Sequence, residues 1–225
     1  MQGTGGGMDE SLLDTLPLSH RLALSYAPAS AKPDILALLA LDARLAGIVR
    51  GDGEAIIAQM KLAWWRDRLG SEPENWPLGE PLLARLQDWS GDVSRLVALV
   101  DGWEVLLSEV LDRSAITIFC RGRSMAWSAL ADGLLETGTN APIERAAKEA
   151  SLLDLSQNLS QGEEADLARD LCAKENWEHI MLPRKLRPLA VLHALSRRAL
   201  KDNRPHLLDG GGAMALAMRV GITGR

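Results

Sequence analysis

The side chains best able to do chemistry in this sequence are few and scattered. Asp154 and Asn158 stand four apart in LLDLSQNLS, followed by Glu163 and Glu164. That spacing puts one carboxylate and one amide a helical turn apart. A divalent cation such as Mg²⁺ needs several oxygen ligands, so this pair alone makes a poor site. Asp42 is a second isolated acid, inside the apolar run LALLALDARLAG. Glu175 and His179 are one turn apart, with Glu178 adjacent and His193 beyond. A zinc site needs three or four convergent ligands, and neither HExxH nor a cysteine cluster accompanies them. Cys120, Cys172, Ser124 and Ser156 have no base at a telling spacing, so no thiol or hydroxyl nucleophile is indicated. Arg121-Gly122-Arg123, and Arg197-Arg198 with Lys201 and Arg204, are the densest basic patches. They could touch phosphates, but in an acidic chain a solvated helix end is the preferred reading. His20 and His206 point to no chemistry.

Helices must position these residues. Stretch 34–69 reads as two amphipathic helices hinged at Gly51-Asp52-Gly53, with apolar residues recurring at steps of three and four. Its tail carries Trp64-Trp65-Arg66-Asp67. Adjacent helical residues point about 100° apart, so at most one of the two tryptophans faces the centre squarely. Packing is preferred over pocket-lining for both, with Trp65 near a helix seam, and Arg66 and Asp67 read as a solvated face or a partner-facing pair. Pro17 opens a short helix through Tyr26, and residues 70–81 form a loop with three prolines that pins Trp76. A five-turn helix is predicted over 93–110 and a longer one over 113–136, in which Gly122 marks a kink or a close helix approach. Further helices follow from Pro142 through Leu159, over 163–174 with Leu167 and Leu171 inward, and over 188–201. A short amphipathic segment closes the sequence. Residues 1–10 are Gly-rich and expected to be disordered, with residues 11–225 as the helical domain. The glycines of GTGGG lack a following Lys-Ser or Lys-Thr, so no phosphate-binding loop is indicated.

Composition narrows the class. The 225 residues hold 25 Lys and Arg against 30 Asp and Glu, and a net charge of -5 argues against a nucleic-acid partner. Leu and Ala abound, strand-formers are scarce, and seven Trp stand against one Phe and one Tyr. The expectation is an all-α, single-domain bundle of about eight helices. With two distant cysteines, no secretory signal and no apolar run of bilayer length, a cytoplasmic protein with at most peripheral membrane contact is expected.

Taken in order, LSYAP (residues 24–28), LALDARLA (39–46), QMKLAWWRD (59–67), Leu182-Pro183 and LRPL (186–189) resemble the squalene/phytoene synthase family, and residues 219–225 look like the end of its short bacterial members. The resemblance implies the class I isoprenoid (terpenoid) synthase type of helical bundle, with a central apolar cavity. Active members join two prenyl diphosphates head to head, ionising them with Mg²⁺ held by aspartates on two facing helices. Set against that pattern, the first aspartate motif falls on Ala46, Gly47 and Arg50, none of which can ligate a cation. The family also holds non-catalytic relatives, including an assembly factor for respiratory complex I, and this sequence is similar to that branch. The resemblance therefore implies a protein without prenyltransferase activity or cofactor. Its role would be assembly or scaffolding, with respiratory-complex subunits or assembly intermediates as partners, or the binding of an isoprenoid or lipid, in the cytoplasm or peripheral to the inner membrane. Tyr26, Trp64, Trp65 and Arg66 would then mark a pocket or partner face. The alternative it implies is an atypical Mg²⁺-dependent synthase using Asp42 and Asp154.

Overall fold

The computed structural model describes residues 5–51, 53–136, 138–159 and 162–225, which are all-helical with no β-strand among them. The centre is α3 (Lys32–Arg50), which starts with Pro33 in its first turn, where a proline's missing N–H costs nothing. Every residue from Ile35 to Leu41 is buried, as a helix that is apolar all round requires. Around it pack α1 (Gly5–Asp14), α2 (Leu18–Leu24), α4 (Ala55–Leu69), α5 (Pro81–Leu86), α6 (Val97–Glu104) and α7 (Arg113–Leu134). A second layer is made by α8 (Ala141–Asn158) with α9 (Glu163–Ala173) on one side and α10 (Arg187–Lys201) on the other, and α11 (Gly212–Thr223) lies across α10 and α2. One continuous buried cluster runs through the whole assembly.

Glycine sets the closest contact. A Cβ on Gly122 of α7 would sit 2.3 Å from the Ala98 carbonyl oxygen and 3.3 Å from the Gly102 Cα. Only glycines let α6 and α7 touch backbone to backbone there, so the close approach, not a kink, is what Gly122 provides. The neighbouring Arg123 is thereby brought over Trp103 of α6.

Several sequence expectations need correcting. The tail expected to be disordered over residues 1–10 is helical from Gly5, because Leu12 and Leu16 bury against the body and Asp9 pairs with Arg85; residues 1–4 lie outside the described residues, as does Asp52 of the hinge. The five-turn helix over 93–110 is instead a 3₁₀ turn (Val93–Leu96), α6 and a second 3₁₀ turn (Val105–Leu107). The chain leaves the helix so that Leu111 can bury with its N–H donating to Glu164, and Val110 stays exposed. In α9 the inward residues are Ala165, Ala168 and Cys172, with Leu167 and Leu171 at the edges: small residues let it lie close. Eleven α-helices are formed by the described residues where about eight were expected, because short segments around α3 fold into turns of their own.

Candidate functional site

Asp42 ends the buried run of α3, Asp154 projects from α8, and Arg123 reaches between them from α7. Arg123 meets Asp42 with a fork, Nε to Oδ1 at 3.0 Å and Nη2 to Oδ2 at 2.9 Å, and gives Nη1 to Asp154 Oδ2 at 2.7 Å. The Trp103 indole N–H donates to the same Asp42 Oδ1 at 2.8 Å, and Asn158 donates to Asp154 Oδ1 at 3.1 Å. The guanidinium also stacks on aromatic faces, 4.8 Å from the Phe119 ring centroid and 5.0 Å from that of Trp103. Arg50 also lies over the Trp103 ring, 5.8 Å from its centroid. Asp42, Arg50, Arg123 and Asp154, with His20 and Ala46, wall a recess of about 40 Å³.

The electrostatics follow from this packing. Burial works against the Arg123 charge, yet attraction and hydrogen bonds from Asp42 and Asp154 outweigh it, so its pKa lies above the ordinary arginine value. Burial would raise the Asp154 carboxyl, but Arg123 first, then His20 and Arg50, hold it below the usual carboxylate range. His20 is pushed down, chiefly by desolvation, with the two aspartates pulling the other way. Two acids and two arginines leave this cluster neutral as it stands.

Above the recess the bundle is nearly filled. The cavity between Leu38, Leu39, Leu99, Trp127, Leu189 and Leu192 holds about 50 Å³, room for a few waters at roughly 10–15 Å³ each. Pockets that take extended ligands run to roughly 300–1,000 Å³. A wider groove of about 710 Å³ lies elsewhere, between α7, α8 and α9, lined by Arg113, Arg121, Arg145 and Lys148, by Glu144 and Glu175, and by the apolar Ile116, Leu152 and Leu171.

The sequence candidates fall in several places. Asp42 and Asp154 do converge, and Ala46 and Arg50 border them, whereas Gly47 is exposed on a separate groove of about 270 Å³. Trp65 is buried at 3% exposure and Trp64 stands at 38%, the two rings meeting edge to face at 5.1 Å. Arg66 lies on a partly exposed face but is not free for a partner: it bonds Asp101 at 2.7 Å and also Glu104, holding α4 to α6, while Asp67 is exposed. Tyr26 packs against Gly221 of α11, outside the central cluster. Glu175 and His179 are not on a helix, and Glu175 pairs with Lys148 at 2.6 Å. Burial pushes the Cys120 and Cys172 thiols up to about 12, which leaves no thiolate at neutral pH.

Sequence reasoning missed Arg123, read as part of a solvated basic patch, and His20. The signal for Arg123 was available: it stands at the middle of Phe119, Arg123 and Trp127, an i, i+4, i+8 face that is otherwise aromatic and buried, and a charge on such a face requires a partner. A second buried pair was also missed. Glu149 of α8 and His193 of α10 meet at 2.6 Å in the interior, with Trp177 stacked 5.8 Å over the imidazole.

No protein-family model, curated protein or solved structure matches this chain. The chemistry is therefore judged from the residues themselves. They do not fit a magnesium ion between α3 and α8: both carboxylates already face a guanidinium, Arg50 adds a second positive charge, and the amide of Asn158 donates a hydrogen bond to Asp154 where a ligand would have to accept the metal. What the arrangement does is lock three helices together at a neutral ion cluster.

Proposed function

We propose that this chain is a degenerate bundle of the squalene/phytoene synthase type, built on the class I isoprenoid synthase architecture, that has no prenyltransferase activity and serves as a cytoplasmic assembly scaffold for respiratory-complex subunits. The observation that carries this reading is the Arg123 guanidinium lying between Asp42 and Asp154. Ionising an allylic diphosphate requires preorganised positive charge facing the departing polyanion. Here the arginine's charge is spent on the two acids, and little space remains above it for a prenyl chain. The scaffold half is supported by the outer face of α4, where Ile56, Ile57, Met60 and Trp64 form an exposed apolar stripe.

The enzymatic alternative is tested by incubating the protein with farnesyl and geranylgeranyl diphosphates and Mg²⁺ and measuring pyrophosphate release. No release above a protein-free control is expected, and turnover abolished by Asp154→Ala would overturn the reading. For the scaffold, the tagged chain is recovered from its native cells. A respiratory-complex subunit or assembly intermediate is expected with it, and its loss on Met60→Glu with Trp64→Glu would place the contact on α4. Absence of any such subunit in the wild-type recovery counts against the role.

A second reading, binding of an isoprenoid or lipid tail, is favoured by the 710 Å³ groove with its apolar Ile116, Leu152 and Leu171 and the cations Arg113 and Arg121, not by the central cavity. Leu152→Trp, which narrows that groove, should abolish binding of a fluorescent acyl or prenyl probe. Unchanged binding would remove this reading.

A further inference from the structure

Charge is divided unevenly along this chain. Residues 184–225 hold nine Lys and Arg against two Asp and Glu, a net of +7, whereas residues 1–183 hold 16 against 28, a net of -12. The cationic part contains α10 and α11. α11, GAMALAMRVGIT, has a single charge, Arg219. Its inner face, Ala213, Ala217 and Val220, is buried against the body. Its outer face is apolar too: Met214, Met218 and Ile222, spaced i, i+4, i+8, are 55%, 57% and 70% exposed. A surface helix ordinarily turns polar residues outward, so an outer face of this kind needs cover.

Two cations stand beside that face: Arg219 and Arg225 are exposed on and just beyond α11. On the Leu216 side of the helix, away from the strip, a groove of about 640 Å³ is walled by Arg197, Arg198, Lys201 and Asp202. Arg198 is engaged by Asp202 and the Asp209 carbonyl. Arg197, Lys201 and Arg219 make no ion pair among the described residues.

We propose that α11 and its cationic flank dock on the surface of an anionic lipid bilayer. Met214, Met218 and Ile222 enter the boundary between headgroups and acyl chains, Arg219 and Arg225 meet the phosphates, and Arg197 and Lys201 add positive charge behind them. The exposed apolar strip supplies the surface such an interface takes up, and the charges come from the residues beside it rather than from α11 as a whole. Charge complementarity selects the occupant, because an extended anionic plane attracts this end of the molecule and repels the acidic remainder, turning α11 toward it. The attachment is to the surface, since no helix among the described residues is long and apolar enough to cross a membrane. This inference stands apart from the scaffold role: a chain that binds vesicles yet recovers no respiratory-complex subunit keeps the one and loses the other.

The test is flotation of the full chain with vesicles of phosphatidylglycerol and phosphatidylcholine, or of phosphatidylcholine alone. Flotation is expected with the anionic vesicles only, and 0.5 M salt, roughly a 4 Å screening length, should release the protein. Arg219→Ala should lower partitioning about fivefold, the weight of one cation near such a surface. Met218→Glu with Ile222→Glu should lower it about tenfold or more, with unchanged helicity by circular dichroism. A second measurement does not depend on those variants folding. Met218→Cys carrying an environment-sensitive dye, with Cys120 and Cys172 buried, should shift to the blue on anionic vesicles, whereas Val110→Cys should not. Failure to float on phosphatidylglycerol, flotation indifferent to the double substitution, or binding to polyglutamate in place of vesicles would each overturn bilayer docking.

Discussion

Arg123 and His193 both carry polar side chains into the bundle, and their surroundings differ in how completely they are satisfied. Arg123 meets two carboxylates from two other helices through three contacts, and its acids take further bonds from Trp103 and Asn158. Asp154 keeps 30% of its side-chain surface open, so solvent shares the load. The Glu149–His193 pair is sealed, with exposures of 0% and 3%, and rests on one hydrogen bond. The second Glu149 oxygen accepts none, and Arg145 Nε stands 3.5 Å from it without a hydrogen bond of its own. The contrast teaches that the first cluster is a junction in which every charge is answered, and the second a single tie between α8 and α10 held by its seclusion. Removing a member should therefore hurt most where most partners are left behind.

The largest effect is expected from Arg123→Met, which leaves Asp42 and Asp154 with no hydrogen-bonded cation and only Arg50 near them, and should cost about 3–5 kcal/mol in urea unfolding. The triple variant with Asp42→Asn and Asp154→Asn should recover most of that loss. A single-variant cost below about 1 kcal/mol would mean the cluster is effectively solvated, and the contrast would fail. Glu149→Gln keeps shape and weakens one charged bond, so a smaller loss of about 1–3 kcal/mol is expected in the same experiment. A loss exceeding that of Arg123→Met would reverse the ranking.

Acid should probe the Arg123 cluster in two steps. The folded pKa of His20 lies below its ordinary 6.5, so the unfolded chain binds its proton first and stability falls as pH drops below about 6.5. Asp154 is likewise held below 3.8, which adds a second loss as pH falls through and below that value. His20→Gln should flatten the first limb in thermal melts followed against pH while leaving the second. His179 is depressed as well but is largely solvated, so its share of the first limb is minor. A first limb unchanged in His20→Gln would place the titrating group elsewhere. The smallest effect belongs to Arg66→Ala at the half-exposed α4–α6 contact, about 0.2–1 kcal/mol, and it calibrates what an ordinary surface ion pair is worth here.

The helices were legible because periodicity is a local property. Pro33, Gly51, Pro142 and Pro188 mark breaks that the structure keeps, and the apolar steps of α3, α7 and α10 reappear as buried faces. The failures came where a long-range contact decided a local outcome. Leu111 and its bond to Glu164 end the helix expected through Val110, and Leu12 and Leu16 draw α1 out of a glycine-rich segment. The same holds for the site. Asp42, Asp154, Ala46 and Arg50 could be singled out one at a time, but nothing in their spacing reveals that α7 delivers a guanidinium between the first two.

By itself, then, the sequence determined an all-helical chain, its main breaks, and a charge pattern that turns strongly positive after residue 183. Packing decided which side of α4 faces the core, turning Ala58, Leu62 and Trp65 inward and Ile56, Ile57, Met60 and Trp64 outward. Only the tertiary structure decided that Arg123, 81 residues from Asp42 and 31 from Asp154, pairs with both, and that Glu149 finds His193 44 residues away. The physical reason is range. Backbone hydrogen bonding and amphipathic periodicity act within a few residues, whereas a buried charge takes its stability from groups that only the close packing of α6, α7 and α8, through Gly122, brings within a few ångströms.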